Sequence, residues 1–177
     1  VDSLSDPLSM MRYFVMEPVR YVDTLNAHYA SAGHPPYQWS INTDAPLHRL
    51  DRPLSACTVT LLTSGGISLC SMPAFDPMAR NDHRVDAIQR DVAATDFQIH
   101  DAYYDHRDAD RDINCQFPID RLRELAQLGE IGSVAPRFWS GFMGRTYNRS
   151  KLMQESAPAF AAELRRDHVD ILIAVPA

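Results

Sequence analysis

Lysine is almost absent from this chain, since Lys151 is the only lysine among 177 residues. That scarcity leaves almost no candidate for a Schiff-base lysine or for the lysine of a phosphate-binding loop. Long apolar runs are missing too: none approaches the roughly 18–20 residues that span a bilayer, so no membrane partner is expected. The net charge of −6 argues against nucleic acid as a partner, because phosphates are bound by clustered Lys and Arg.

Cysteine is also scarce. The three cysteines, Cys57, Cys70 and Cys115, are an odd number without the C-x-x-C spacing of metal sites. We interpret them as reduced thiols of a cytoplasmic protein. Length and composition predict one domain over residues 1–177, with residues 1–18 as an N-terminal arm. A homodimer is the expected assembly, because two-fold dimers are the commonest oligomers.

Apolar patterning predicts strands that alternate with helices. Strands are predicted at 57–63, 96–100, 131–135 and 170–175, and helices at 21–32, 118–128 and 150–166. Residues 71–91 are predicted to be a long excursion over the sheet, and residues 136–144 a polar loop. This order favours a single three-layer α/β domain with a mainly parallel sheet of four to five strands.

The most polar stretch is residues 100–121, which contain two His, six Asp, one Asn and one Cys. In parallel α/β sheets, sites form outside the carboxyl ends of the strands. Four segments are predicted to meet there: 64–66, 101–114, 136–144 and whatever follows Val175. This stretch therefore predicts a polar site at that end of the sheet.

Acid–base chemistry is the favoured role for part of this stretch. His106 with Asp105 or Asp108 is predicted to move a proton, because an imidazole beside a carboxylate exchanges protons near neutral pH. The alternative is a solvated Asp-rich loop of Asx turns and helix caps. The remaining polar residues of the stretch that we predict to bind a small-molecule substrate are His100, Tyr104, Asp112 and Asn114.

No cofactor is expected, and a divalent metal is the alternative. Two histidines plus carboxylates can hold zinc, iron or manganese. However, His100 and His106 lie six residues apart, which is not a recognised ligand spacing. The alternative ligand set is His100, His106, Asp108 and Asp112, which would support a metal-dependent lyase or hydrolase.

Three further features are candidates. Cys115 precedes a predicted helix start, where thiolates are stabilised, although a small buried hydrophobe is the alternative. The turn Ser64-Gly65-Gly66 follows a buried strand and would bring N–H groups close to an anionic group, unless it is an ordinary strand exit. Arg137 would hold a carboxylate through two hydrogen bonds, and a surface arginine is the alternative.

An ordered set of short motifs suggests a family. The motifs are PYQW at 36–39, RPLS at 52–55, LLTSGG at 61–66, YDHRD at 104–108, DIN at 112–114, FPIDRLREL at 117–125, IGS at 131–133, AP at 135–136 and FMG at 142–144. This pattern resembles the selenoprotein B family of the glycine, sarcosine, betaine and D-proline reductases. It is most similar to the short stand-alone bacterial members, and it covers residues from about Tyr21 to Pro176.

The resemblance implies a reductase acting on a small polar or amino-acid-like substrate. In that family a cysteine or selenocysteine follows the last strand and attacks a substrate carbon. A pyruvoyl partner subunit activates that carbon as an imine, and a C–N bond is cleaved. Here the match runs through Pro176, and no residue of this sequence occupies the nucleophile's position. Either the sequence is shortened at its C-terminus, or this member lacks the redox motif and is a non-redox binding or partner subunit. Any reductive cleavage would need a thiol, either Cys115 or one beyond Ala177.

Overall fold

A computed structural model describes residues 21–35, 41, 43–44 and 48–176. The chain divides into two compact units, Val1–His48 and Arg49–Ala177. The predicted N-terminal arm, residues 1–18, lies outside the described residues. The prediction of one domain over 1–177 stays a prediction.

The first unit contains one described helix. Helix α1 spans Tyr21–Ser31 and has no buried residue. Gly33, at φ 79°, follows it, and the Gly33 N–H donates to the Ala30 carbonyl at 3.0 Å. A left-handed glycine at this position ends a helix, as the sequence predicted.

The second unit contains the sheets. Its strands are β1 Thr58–Thr63, β2 Ile67–Leu69, β3 Val85–Gln89, β4 Phe97–Ile99, β5 Ser133–Val134, β6 Arg137–Gly141 and β7 Ile171–Val175. Its helices are α2 Ile119–Gln127, α3 Arg149–Lys151 and α4 Ala157–Arg166, with a π-helical turn at Leu152–Ser156 between α3 and α4. In the described part of the chain, no helix is long and apolar enough to cross a membrane.

Strand β1 is the centre of the five-stranded sheet, because both of its edges are paired with parallel strands. One edge pairs with β7 along Val59–Thr63. The other pairs with β5 near the start of β1 and with β6 near its end. Strand β3 then pairs antiparallel with β6, while β2 and β4 form a separate antiparallel pair. The carboxyl ends of β1, β6 and β7 therefore lie at the same end of the sheet.

Helices cover both faces of this sheet. Adjacent residues of a strand point to opposite faces. Phe138 contacts Phe117, directly before α2, at a ring-centroid distance of 5.9 Å, whereas Trp139 contacts Phe160 of α4 at 5.2 Å. Helix α2 adds Ile119 and other buried side chains to the core on the Phe138 face. The predicted three-layer α/β architecture with a mainly parallel sheet is confirmed.

Two segments that were predicted without strands contain them. Strand β6 lies inside the predicted polar loop 136–144, and its residues after Arg137 are buried because strands flank it on both sides. Strand β3 lies inside the predicted excursion 71–91, where the buried Asp86 masks the apolar alternation. The predicted strand at 96–100 exists as β4, but it belongs to the small antiparallel sheet.

Candidate functional site

The sharp turn after β1 is shaped by the backbone of His100. Gly66 has φ 66°, and a Cβ on it would lie 2.3 Å from the His100 carbonyl oxygen. The His100 N–H also donates to the Gly66 carbonyl at 2.9 Å. Only glycine combines this backbone conformation with so close an approach. The turn therefore joins the start of the 100–121 stretch to the carboxyl end of β1.

Two side chains of the polar stretch reach the carboxyl ends of β1 and β7. The Tyr104 hydroxyl donates to the Gly65 carbonyl at 2.9 Å. The Gln116 amide donates through Nε2 to the Pro176 carbonyl at 3.1 Å, and Pro176 directly follows β7. A Cβ on Gly65 would lie 3.0 Å from the Tyr104 hydroxyl and 3.2 Å from Gln116 Nε2. The polar stretch, the diglycine turn and Pro176 thus converge at one end of the sheet, as the sequence predicted.

Two N–H groups of the diglycine turn donate to acceptors within the protein. The Gly65 N–H donates to Thr63 Oγ1 at 3.1 Å, and the Ser64 N–H donates to the Val175 carbonyl at 3.4 Å. These N–H groups are the ones that an anion-binding turn would present to its ligand. The arrangement favours the alternative interpretation of Ser64, Gly65 and Gly66, a tight strand exit.

Tyr104 is held as a neutral hydrogen-bond donor. Burial, followed by the charges of Asp101 and Asp110, raises the pKa of Tyr104 to about 12. The ordinary tyrosine pKa is about 10. Because the folded value is the higher one, the stability that this raised pKa contributes is fully present below about pH 10 and is lost as pH rises toward 12. The phenol therefore keeps its proton throughout the physiological range.

The carboxylate partner of His106 is Asp110, which corrects the predicted pairing. Nδ1 of His106 lies 2.8 Å from Asp110 Oδ2. The Asp110 N–H donates to the His106 carbonyl at 2.8 Å, so a single helical turn places the two side chains together. Asp105 instead pairs with Arg107, and Asp108 pairs with the exposed Arg111. The roles of His106, Asp105 and Asp108 in catalysis stay predictions.

Asp112 and Asn114 stabilise the start of α2. Asn114 donates through Nδ2 to Asp112 Oδ1 at 2.9 Å and to Asp120 Oδ2 at 3.0 Å. The Asn114 side-chain oxygen accepts from the Asp120 N–H at 2.9 Å, and Asp112 Oδ1 accepts from the Asn114 N–H at 3.0 Å. The Asn114 hydrogen bonds are the largest cause that lowers the pKa of both Asp112 and Asp120. The alternative interpretation, caps and Asx turns, describes these residues.

Replacing Asn114 by alanine is expected to lower the free energy of unfolding by about 2 kcal/mol at pH 7, because three side-chain hydrogen bonds are lost. The loss should shrink below about pH 4, where unfolded aspartates become protonated. A carboxyl whose folded pKa is lowered contributes stability above the unfolded pKa and loses it as pH falls through the folded value. Urea denaturation of both proteins between pH 3 and 7 would measure this difference.

Asn148 offers a matched control for this experiment. Its side chain accepts from the Lys151 N–H at 3.1 Å and caps α3, with no carboxylate bound to its amide in the described structure. Replacing Asn148 by alanine should cost about 1 kcal/mol at every pH in that range. An Asn114→Ala loss that stayed constant from pH 7 to pH 3 would contradict the carboxylate link.

The alternative metal ligands are not assembled into a metal centre. Within residues 48–176 and the other described positions, no group of three or more His, Cys, Asp and Glu side chains has the geometry to hold a metal ion. His100 is exposed and its Nε2 lies 3.3 Å from Gln98 Oε1. His106, Asp108 and Asp112 are bound to Asp110, Arg111 and Asn114, respectively. Each of these four side chains has a different local partner, so the described structure does not bring them together, and the metal alternative stays a prediction.

Polar residues of the stretch also line a depression of about 380 Å³. Its lining includes the polar residues Gln98, Asp110, Asp112 and Asn114, together with apolar side chains such as Phe97. Asp110 connects this depression to His106, and the His106 ring lies 5.7 Å from the Tyr104 ring. The depression thus neighbours the region where Tyr104 and Gln116 bind the Gly65 and Pro176 carbonyls, which we call the Tyr104 crevice.

One cysteine, Cys115, differs from the buried environment given as its alternative. Cys115 is exposed at the end of a 3-10 turn, so its alternative interpretation as a buried hydrophobe is wrong. The turn leaves Ile113 and Phe117 to fill the core instead. Cys57 is buried and lies 3.4 Å from the Pro53 carbonyl, while Cys70 is exposed.

Arg137 lies outside the candidate site, which corrects its predicted role. Its guanidinium donates to both carboxylate oxygens of Asp167, at 2.8 and 2.7 Å, and to Glu163 at 3.0 Å. The Asp167 hydrogen bond is the largest cause that raises the pKa of Arg137. A substrate carboxylate would have to displace these partners, so the structure gives no support to Arg137 as an anion clamp.

Sequence reasoning missed two residues of this region, Gln116 and Asp110. Asp110 could have been identified from the sequence, because it lies four residues after His106, the spacing at which helical side chains meet. Gln116 could not have been identified in this way, since its partner is a backbone carbonyl 60 residues away.

Comparisons with known proteins give matches over most of the chain. A family model described as glycine/sarcosine/betaine reductase selenoprotein B matches residues 36–176. The chain is also similar to the D-proline reductase subunit gamma of Acetoanaerobium sticklandii, with 34% identity over 120 residues. That alignment covers 68% of this chain and 48% of the relative, so the chain spans about half the length of the curated relative it matches. No solved structure matches the chain.

Proposed function

Because the chain belongs to the glycine/sarcosine/betaine reductase selenoprotein B family, we propose that it is part of an oxidoreductase acting on a small, amino-acid-like substrate. One observation carries the location of the site: Tyr104 and Gln116 bind the backbone that follows β1 and β7. That end of a parallel sheet is where α/β enzymes bind their ligands. In the reductases that the motifs resemble, the nucleophile follows the last strand, and Pro176, the last matched residue, directly follows β7 here.

In this proposal the residues have distinct roles. The neutral Tyr104 phenol keeps the turn at Gly65 in place by donating to the Gly65 carbonyl. The His106–Asp110 pair moves a proton, because the carboxylate orients the imidazole through Nδ1 and leaves Nε2 for the substrate. The depression beside Asp110 accommodates an amine-bearing molecule, since carboxylates line it.

Reductive cleavage requires a thiol nucleophile, and within this sequence we propose Cys115. Its sulfur bonds to the substrate carbon as the C–N bond breaks and the amine leaves, and an external dithiol reductant then releases the product and restores the thiol. Cys115 is exposed and is bonded in sequence to Gln116, which binds the Pro176 carbonyl. The free Cys57, Cys70 and Cys115 support a reducing, cytoplasmic setting. A pyruvoyl-type partner subunit would activate the substrate, as the family resemblance implies, and the relative's own name describes a subunit. A homodimer of the chain remains part of the proposal.

Replacing Tyr104 by phenylalanine is expected to lower kcat/KM about tenfold, because the hydrogen bond that holds the turn at Gly65 is lost. The measurement is turnover of D-proline, glycine, sarcosine and betaine by the natural protein with its partner subunits. Tyr103 provides the control: it is 64% exposed, and replacing it by phenylalanine should leave turnover unchanged. Equal activity of both variants and the parent protein would show that Tyr104 is not part of the site. If the parent protein bound D-proline without any turnover, the chain would be a binding subunit.

Replacing Cys115 by serine is expected to abolish turnover, because serine is a far weaker nucleophile at neutral pH. Cys70 is a matched control, since it is also exposed and lies outside the polar stretch. Cys70→Ser should retain full activity in the same assay. Full turnover by Cys115→Ser would exclude Cys115 as the nucleophile while leaving the crevice itself in place.

A further inference from the structure

A second cavity lies on the other face of the sheet, between β6 and α4. It has a volume of about 280 Å³, and its walls include Val85, Trp139, Ala159 and Phe160. None of its lining residues belongs to the Tyr104 crevice or to the depression beside Asp110. An apolar cavity of about 150 Å³ already holds a benzene ring. The second cavity therefore has room for a single ring with a polar substituent.

Two nitrogen atoms at this cavity lack hydrogen-bond partners. Trp139 is 3% exposed, and its Nε1 is buried without a partner among the residues that the structure describes. Nε2 of His83, which also lines the cavity, is in the same state. A buried indole N–H normally finds an acceptor, and leaving such a group unsatisfied is costly. Both atoms would be satisfied by one molecule that occupies the cavity.

The Ser156 side chain orients His83 at the cavity wall. Ser156 Oγ lies 3.2 Å from His83 Nδ1, so the hydroxyl fixes the ring and leaves Nε2 for another partner. Ser156 is the last residue of the π-helical turn Leu152–Ser156. π-helical turns within helices are rare and occur frequently at functional sites. Here the turn places Ser156 against His83 at the cavity wall.

The charges at the cavity wall are already compensated. Glu163 lines the cavity, but it accepts from Arg137 at 3.0 Å and from Arg166 at 2.7 Å. Among the lining residues that the structure describes, a cationic ligand would find no unpaired carboxylate, and an anionic one no unpaired Lys or Arg. We propose that this cavity binds a small, uncharged, ring-containing molecule that accepts a hydrogen bond from Trp139 Nε1 and forms a second one with His83 Nε2.

Benzamide is a suitable probe, because it is uncharged and offers one carbonyl acceptor and one amide donor. In protein labelled with ¹⁵N, the indole N–H signal of Trp139 should shift saturably as benzamide is added. The chain has two tryptophans, and the Trp139→Phe variant assigns the signal by its disappearance. Toluene, which lacks the acceptor, should bind at least tenfold more weakly than benzamide. Benzoate, which is charged, should not bind.

Trp139→Phe keeps an aromatic ring and removes the donor, so benzamide affinity should fall about tenfold. Ser156→Ala should weaken benzamide binding, because it removes the hydroxyl that orients His83 and leaves Trp139 intact. This variant tests the proposal even if Trp139→Phe does not fold. The proposal would be overturned if the Trp139 indole signal did not shift with any of the three probes. Rapid exchange of the indole proton with water would then identify the cavity as a hydrated void. Benzoate binding more tightly than benzamide would overturn the uncharged ligand class.

Discussion

Replacing Gly66 by alanine is expected to lower the free energy of unfolding by about 4 kcal/mol. Two effects combine in this value. An alanine at φ 66° adopts the left-handed conformation, and its Cβ would lie 2.3 Å from the His100 carbonyl oxygen and 2.8 Å from its carbonyl carbon. Backbone atoms cannot rotate away as a side chain can, so the β2–β4 pairing must shift. Urea denaturation at pH 7, followed by circular dichroism, would measure the loss.

Two other glycines separate these effects. Gly129 has φ 74° with nothing within 4 Å of a Cβ, so Gly129→Ala should lose only about 1 kcal/mol, the conformational part. At Gly132, where no left-handed φ is required, a Cβ would lie 2.8 Å from the Ala56 carbonyl carbon. Gly132→Ala should lose about 2 kcal/mol, the steric part. A Gly66→Ala loss no larger than that of Gly129→Ala would show that the His100 backbone moves freely.

The fold was predictable where sequence patterns are local. The apolar β-branched run of β1 and the terminating Gly129 after α2 reveal their elements directly. Strand β6 was not predictable, because Arg137, Ser140 and Gly141 are typical of a loop. It is a strand because β1 and β3 satisfy its backbone on both edges, which is a long-range effect. The same applies to β3, where the buried Asp86 is paired with Arg84 at 2.5 Å.

The candidate site was predictable in position and less so in its pairings. Strand order alone indicates that the polar stretch reaches the carboxyl ends of the strands. Which carboxylate faces His106 depends on whether residues 106–110 are extended or helical. The observed helical turn selects Asp110 over Asp105 and Asp108, which exposed arginines neutralise instead. Side-chain pairing within a charged loop is decided by local backbone geometry that composition does not encode.

Arg137 illustrates how a plausible site residue becomes a structural one. Its guanidinium lies 4.5 Å from the centre of the Trp139 ring and donates to both oxygens of Asp167. The Asp167 side chain is only 9% exposed, so its charge depends on this partner. Breaking a buried ion pair by removing one member is strongly destabilising, because the other charge is left uncompensated.

Replacing Arg137 by methionine is therefore expected to lower the free energy of unfolding by about 3 kcal/mol. Methionine keeps most of the packing against Trp139 and removes the charge. Arg137→Lys should lose less, about 1–2 kcal/mol, since lysine retains the charge but cannot bind both oxygens in a planar fork. Urea denaturation of the three proteins at pH 7 would rank them.

Arg166 is the control for this prediction, because it shares the partner Glu163 but is 68% exposed. Arg166→Met should change stability by less than about 1 kcal/mol, as exposed ion pairs contribute little. The double variant Arg137→Met with Asp167→Asn should recover part of the loss, because no uncompensated charge remains. An Arg137→Met protein as stable as the parent, but with weakened substrate binding, would return Arg137 to the role of an anion clamp.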